Sequence, residues 1–201
     1  SKYTLRCELA KRYLSAGQIE EAISEYHSIL SEIKANHLLS AEIYSRLEQC
    51  YLRKKDWEKA FFCTEKAIML SKKLGKNEAQ FVEIYLKSAV RFAKSGFLIG
   101  EFRQLLKALE IKEANNQFDD YVIAEINNKI GLNLLERGEY HRAGVLFVSA
   151  KKLWEKLKGK NSEEVATTWG NYSRCFIALD KHDKINGCLK VFEKEPQKYV
   201  D

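Results

Sequence analysis

The hydrophobic and polar positions of this chain fall into one arrangement that returns at a nearly constant interval. In its clearest copy a helical run ends near Tyr51, polar residues follow, and a second helix opens at Trp57. We take the alanine three residues after Trp57 as an anchor. Equivalent positions fall at the following residues: Ala22, Ala60, Ala143 and, less well matched, Glu101 and Gly187. In chain order the anchors lie 38, 41, 42 and 44 residues apart, which indicates an internally repeated unit.

Each unit is predicted to be a pair of antiparallel helices. Five residues before the anchor stands a helix-breaking glycine in three copies, namely Gly17, Gly96 and Gly138. Twelve residues before the anchor the copies carry Ala10, Ala89, Gly131 and Cys175, with Glu48 as the exception. Two helices approach to about 8–10 Å only where small side chains face each other, so these positions predict where the helices of a pair cross.

This arrangement of small, bulky and glycine positions resembles the tetratricopeptide repeat, over about residues 3 to 195. The resemblance implies an all-α fold: an α-solenoid of five antiparallel helix pairs that form a right-handed superhelix, in a single domain over residues 1–201. The predicted repeats span residues 3–36, 40–75, 78–116, 119–158 and 162–192. The proline expected late in each unit is absent, and the period of about 40 residues is longer than usual. The chain is therefore similar to the long-repeat type of this superfamily.

The composition agrees with long helices in a soluble protein. Of the 201 residues 45% are apolar and 31% are charged, and a single proline with ten glycines does not fit a β-sandwich or barrel. No stretch approaches the roughly 18 uncharged apolar residues of a membrane span, and the first residues do not open a signal peptide. We therefore expect an intracellular, reducing location in the cytoplasm, with the nucleus also open, and no membrane partner.

Charge and cysteines point to no special chemistry. The formal net charge of +6 is small for this length, so nucleic acid is permitted as a partner but not indicated. The five cysteines are odd in number and none lies within four residues of another, which predicts neither a disulfide framework nor a structural zinc site. No metal and no cofactor are expected.

No catalytic motif is found in the sequence. There is no GxxxxGK nucleotide loop, no GxSxG elbow and no HExxH helix. Cys175 and His182 are the nearest thiol and imidazole in the sequence, and we interpret them as a packed small residue and a surface turn residue. We therefore expect a protein that is not an enzyme.

The resemblance also implies a partner-binding site, because the first helix of each pair lines the concave groove in this family. Carried over position by position, the predicted groove residues are Glu42, Gln49, Leu52, Glu83, Leu86, Val90, Glu125, Asn128, Leu132, Leu135, Trp169, Tyr172 and Phe176. The glutamates at 42, 83 and 125 recur at one position and predict an acidic row, beside which the groove becomes more apolar toward the C-terminal half. Such a surface suits a peptide or partner helix with apolar anchors and basic flanks. The alternative is that outer positions are partly buried and the glutamates pair with Lys87, Arg91 or Lys129.

The leading hypothesis is a non-enzymatic protein–protein interaction module that binds a peptide or partner helix in its groove, as an adaptor or complex-assembly subunit. A second hypothesis is a ligand-sensing regulatory domain that binds a short signalling peptide. A third is nucleic-acid binding through the densest positive segment, which contains Lys151, Lys152, Lys156, Lys158 and Lys160. The first repeat has Cys7 and Lys11 where chaperone-binding members of the family carry Lys and Asn, which argues against the Hsp70/Hsp90 C-terminal tail as a partner.

Overall fold

The structure is a computed structural model that describes residues 2–33, 37–114 and 120–179. These residues form nine α-helices and no strand. The helices are α1 (Lys2–Ser15), α2 (Ile19–Glu32), α3 (His37–Arg53), α4 (Trp57–Lys73), α5 (Glu78–Lys94), α6 (Leu98–Ala114), α7 (Asp120–Glu136), α8 (Tyr140–Lys158) and α9 (Glu163–Ala178). The all-α helical-repeat fold predicted from the sequence is confirmed. The second helix of the fifth predicted pair, with the anchor at Gly187, lies outside the described residues.

The helix breaks follow the local chemistry of the chain. Gly17, Gly96 and Gly138 have φ angles of 81°, 78° and 78°, so the predicted left-handed helix ends are confirmed. At the equivalent turn between α3 and α4 the left-handed residue is Lys55, with a φ of 59°. Helix α9 begins after Ser162, whose side chain accepts a hydrogen bond from the Val165 backbone N–H at 3.4 Å.

The chain divides into two compact units, Ser1–Gln104 and Leu105–Asp201, and the division falls within α6. The single domain over residues 1–201 stays a prediction. In the first unit α1 packs on α2, α3 packs on α4, and α2 and α4 each contact the helix that follows. The anchors Ala22 and Ala60 are fully buried beside the bulky Tyr26, Ile29 and Leu47, as expected where helices cross closely.

The third repeat differs from its predicted pattern by one residue. Glu101, assigned to the anchor position, is only half-buried, whereas Gly100 is buried. A Cβ added to Gly100 would lie 2.2 Å from a ring carbon of Phe92, a distance that real Cβ atoms do not reach. The small residue of the third repeat is therefore Gly100, because the Phe92 ring occupies the space that a side chain would need.

Glu48, the exception among the small residues, is the centre of a buried polar network in the first unit. Its side chain is 1% exposed and accepts hydrogen bonds from Ser88 Oγ at 2.5 Å and from Arg91 Nε at 2.9 Å, with Arg91 Nη2 as a further donor. The Ser88 hydroxyl in turn lies 3.2 Å from that of Thr64. Since these residues belong to α3, α4 and α5, the network joins three helices through polar contacts where the other copies use close packing.

The second unit is built on the pair α7 and α8, against which α9 packs. Gly131 on α7 allows the close approach, because a Cβ there would lie 2.7 Å from the Phe147 ring on α8. Ala124, Ala150, Trp154 and Val165 form a buried cluster that joins all three helices. No helix among the described residues has the length and apolar character that crossing a bilayer requires.

Candidate functional site

Each unit carries a pocket that includes predicted groove residues. Gln49 and Leu52 line a pocket in the first unit, and Glu125 and Asn128 line one in the second. The other nine predicted residues lie outside these two pockets, and four of the thirteen side chains are largely buried, namely Leu52, Leu135, Tyr172 and Phe176. The use of these residues as a partner-binding groove stays a prediction.

The pocket of the first unit, here called the basic pocket, has a volume of about 440 Å³ and lies at the C-terminal ends of α3 and α5. It is lined by Gln49, Leu52, Arg53, Lys55, Arg91, Lys94 and Ser95. Four of the seven lining residues are cations and none is an acid. An anionic group is the ligand that this lining would stabilise.

The four cations of the basic pocket differ in how firmly they are held. Arg91 donates to the buried Glu48 carboxylate, and the Arg53 guanidinium donates to the Leu14 carbonyl at 2.5 Å. Lys55 and Lys94 are exposed and have no carboxylate partner among the described residues. The two arginines are therefore fixed, while the two lysines are available to an incoming anion.

The pocket of the second unit, here called the acidic pocket, has a volume of about 360 Å³ and lies between α7, α8 and α9. Its lining residues are Tyr121, Glu125, Asn128, Lys129, Trp154, Glu163, Glu164, Thr167 and Thr168. The rings of Tyr121 and Trp154 meet edge to face, with centroids 5.0 Å apart. Aromatic rings together with carboxylates favour a cationic ligand.

The three glutamates of the acidic pocket are not equivalent. Glu164 accepts a hydrogen bond from Lys158 at 2.9 Å, and this contact lowers the pKa of the glutamate and raises the pKa of the lysine. Glu125 and Glu163 form no ion pair within the described part of the chain. Two of the three carboxylates are therefore free to neutralise a ligand.

Asn128 offers the acidic pocket an unused hydrogen-bond acceptor. Its Oδ1 atom is buried and has no donor among the described residues. A buried carbonyl oxygen without a donor carries an unrecovered desolvation cost. A ligand N–H that reached this atom would remove that cost.

The predicted acidic row is distributed over both units. Glu83 pairs with Lys87 at 2.5 Å, which lowers the pKa of the glutamate, as the alternative interpretation expects. Arg91 instead binds Glu48, and Glu42 is exposed. The continuous row stays a prediction.

The predicted aromatic residues of α9 form a ladder along one helix. The Trp169 and Tyr172 rings stack with centroids 4.8 Å apart, and Tyr172 meets Phe176 edge to face at 4.7 Å. Tyr172 and Phe176 are buried, while Trp169 is 43% exposed with the Lys151 ammonium 5.0 Å from its ring. Among these three residues, Trp169 has the most surface available to a partner.

The cysteines of the described residues behave as packing residues. Burial raises the pKa of Cys50 and Cys175 to about 11 and that of Cys63 to about 12, so these thiols are protonated at neutral pH. His182, considered beside Cys175 in the sequence, lies outside the described residues. In the part of the chain that the structure describes, no three His, Cys, Asp or Glu side chains are placed to hold a metal ion.

The lysine-rich segment of α8 is largely neutralised by carboxylates. Lys151 pairs with Glu155 at 3.2 Å, Lys156 pairs with Asp120 at 2.5 Å, and Lys158 pairs with Glu164. Nucleic-acid binding requires an uncompensated positive surface. The ion pairs of this segment weigh against that hypothesis.

Sequence reasoning missed most of the residues that give the two pockets their charge. Arg53, Lys55 and Lys94 lie at or after the ends of first helices, and Glu163 lies at the beginning of one. The family pattern describes only the face of a first helix and not its ends. One signal was present, since Lys55 stands where three other copies have the glycine that breaks the helix.

No protein-family model matches the chain, and no curated protein matches it. Solved structures of repeat proteins share its fold. The apo form of RapI has a TM-score of 0.63 at 21% identity, covering 96% of this chain and 52% of that one. A putative kinesin light chain from Podosopora anserina, with nearly identical TPR-like repeats, has a TM-score of 0.59 at 14% identity and covers 98% and 97%. BtubC (BKLC) from P. vanneervenii has a TM-score of 0.55 at 21% identity and covers 92% and 76%. The chain thus has a tetratricopeptide-type helical-repeat fold.

Proposed function

We propose that the chain is a non-enzymatic protein-binding module, an adaptor or complex-assembly subunit, whose acidic pocket receives a lysine or arginine side chain from a peptide segment or helix of its protein partner. The observation that carries this proposal is the combination, in one pocket of about 360 Å³, of two unpaired carboxylates, an aromatic pair and an unused buried acceptor. The helical-repeat fold supports a protein as the partner.

A basic side chain fits each part of this lining. Glu125 and Glu163 supply negative charge, and the face of an aromatic ring attracts a cation within about 6 Å of its centroid. Tyr121 is 45% exposed, and the Lys158 ammonium lies 5.8 Å from its ring centroid, so a partner's ammonium group would join or replace a cation that is already beside this ring. An arginine would add N–H donors for the polar groups of the lining, whereas an apolar side chain would leave both carboxylates without a partner.

The proposal can be tested with the smallest probe of the predicted chemistry. N-acetyl-arginine amide is titrated into the ¹⁵N-labelled chain, with N-acetyl-citrulline amide as a neutral probe of similar shape. We expect the arginine probe to shift the Trp154 indole and Asn128 side-chain amide signals, and the citrulline probe to leave them unchanged. Equal shifts from both probes, or none from either, would rule out a cation-selective pocket.

Variants then identify the carboxylates that act. Glu125→Gln and Glu163→Gln should each lower the affinity for the arginine probe by about threefold to tenfold. This is the range for the loss of one partly screened charge pair. Glu136→Gln is the matched control, because Glu136 is exposed at the end of α7 outside the pocket. If all three variants weakened the probe equally, the attraction would come from the overall charge and not from the pocket.

A further inference from the structure

Lys55 has a backbone conformation that its side chain does not favour. Its φ of 59° lies in the left-handed region, and it is the one non-glycine residue with positive φ among the described residues. In this region the Cβ of an L-residue comes too close to the following carbonyl oxygen, a contact that glycine avoids. The three equivalent turns carry Gly17, Gly96 and Gly138. The second repeat thus has a lysine at the turn position where glycine would be less strained.

The strained lysine also lines the basic pocket. It follows α3 directly and lines the pocket together with Arg53 of the same helix end and with Arg91 and Lys94 of α5. Bringing like charges together adds a second unfavourable term to the backbone strain. In the free protein Lys55 is therefore unfavourable at this position for two reasons. A ligand that binds its positive charge would explain why the position carries a lysine.

The net charge of the basic pocket remains positive after the ion-pair partners of its lining residues are counted. Glu48 neutralises Arg91, which leaves three uncompensated cations. The C-terminal ends of α3 and α5 each contribute about half a negative charge, which is smaller than the sum of these cations. The lining is therefore net positive, with Gln49 and Ser95 as neutral polar groups beside the cations.

We infer that the basic pocket is a second binding site, which takes the side-chain carboxylates of an acidic peptide segment, rich in Asp or Glu, through Lys55 and Lys94. Arg53 and Arg91 are held by Leu14 and Glu48 and form a fixed positive wall. The two exposed lysines close on the carboxylates with charge-assisted hydrogen bonds. This site takes the opposite charge to the acidic pocket and does not depend on it.

The inference predicts an unusual separation of stability from binding. Lys55→Gly removes the left-handed strain and one like charge, so we expect the melting temperature of the full chain to rise by about 2 °C. The same substitution should lower the affinity for an acetylated, amidated and fluorescein-labelled hexaglutamate by about fivefold, as measured by fluorescence anisotropy. Lys94→Gln should weaken the binding of this probe by a similar factor but raise the melting temperature less than Lys55→Gly does, because it removes one like charge and no backbone strain.

Two controls make the result decisive. Lys73→Gln removes the same charge from the last turn of α4, outside the pocket, and should leave hexaglutamate binding unchanged. A neutral hexapeptide with a free C-terminal carboxylate should bind at least about fivefold more weakly than hexaglutamate, because it offers one carboxylate in place of six.

Three outcomes would overturn the inference. The first is that hexaglutamate binds neither the parent chain nor its variants. The second is that Lys73→Gln weakens its binding as much as Lys55→Gly does, which would indicate attraction to the overall positive charge. Binding of the neutral peptide as tightly as hexaglutamate would assign the pocket to terminal carboxylates. None of these results bears on the arginine probe, which reports on the other unit.

Discussion

The basic pocket and the acidic pocket both include the first helices of two consecutive repeats, α3 with α5 and α7 with α9, and they carry opposite charge. The basic pocket lies at the C-terminal ends of α3 and α5, whereas the acidic pocket takes Glu163 and Glu164 from the first turn of α9. Its third carboxylate, Glu125, lies in the second turn of α7. Basic residues at helix C-termini and acidic residues at N-termini are stabilised by the helix dipole. The dipole thus favours the sign of each pocket, although it does not act on Glu125, which lies beyond the first turn of α7.

The dipole does not account for two features that differ between the pockets. Lys55 lies beyond the end of α3 in a strained conformation, and Asn128 has a buried oxygen without a donor. Neither feature stabilises a helix. The repeat thus fixes the small and bulky packing positions, while the residues at the helix ends differ in charge from one unit to the other.

The largest expected effect concerns the base of the basic pocket. Glu48→Ala should destabilise the chain by about 3 kcal/mol, because it leaves Arg91 without its buried partner. Urea unfolding followed by circular dichroism measures the loss. Glu83→Ala is the control, since it breaks an exposed pair in the same unit and should cost less than about 0.5 kcal/mol. Equal losses for the two variants would show that the Glu48 network contributes no more than a surface ion pair.

A smaller effect tests whether each unit depends on a glycine that lets two of its helices approach closely. Gly131→Ala should destabilise by about 1–3 kcal/mol, because its Cβ would lie 2.7 Å from the Phe147 ring, and Gly100→Ala should do the same against Phe92. The structure supplies a control of opposite sign. A Cβ at Gly170, within α9, meets nothing within 4 Å, so Gly170→Ala should stabilise by about 0.5–1 kcal/mol. Thermal unfolding of the three variants would contradict this account if all three shifted in the same direction.

The sequence predicts the helices well and the charge of the pockets poorly, for different physical reasons. Ala22, Ala60 and Gly138 are required by backbone geometry, and such requirements recur at the same position in most copies of the repeat. The partners of Glu48 lie on two other helices, so no spacing in the sequence reveals them. The shift from Glu101 to Gly100 likewise depends on the position of one ring, which the repeat pattern does not specify.

The smallest expected effect separates the paired carboxylate of the acidic pocket from its free neighbours. The hydrogen bond from Lys158 is the largest cause of the lowered pKa of Glu164. Lys158→Gln should therefore return that pKa toward its ordinary value. Because the folded-state pKa is the lower one, the pair stabilises the protein above the ordinary glutamate pKa, and this contribution is lost as the pH falls through the folded value. An NMR titration of the glutamate side chains measures the shift directly. If the pKa of Glu164 does not move in Lys158→Gln, the ion pair with Lys158 is not the cause of the lowered pKa, and the distinction between one paired and two available glutamates fails.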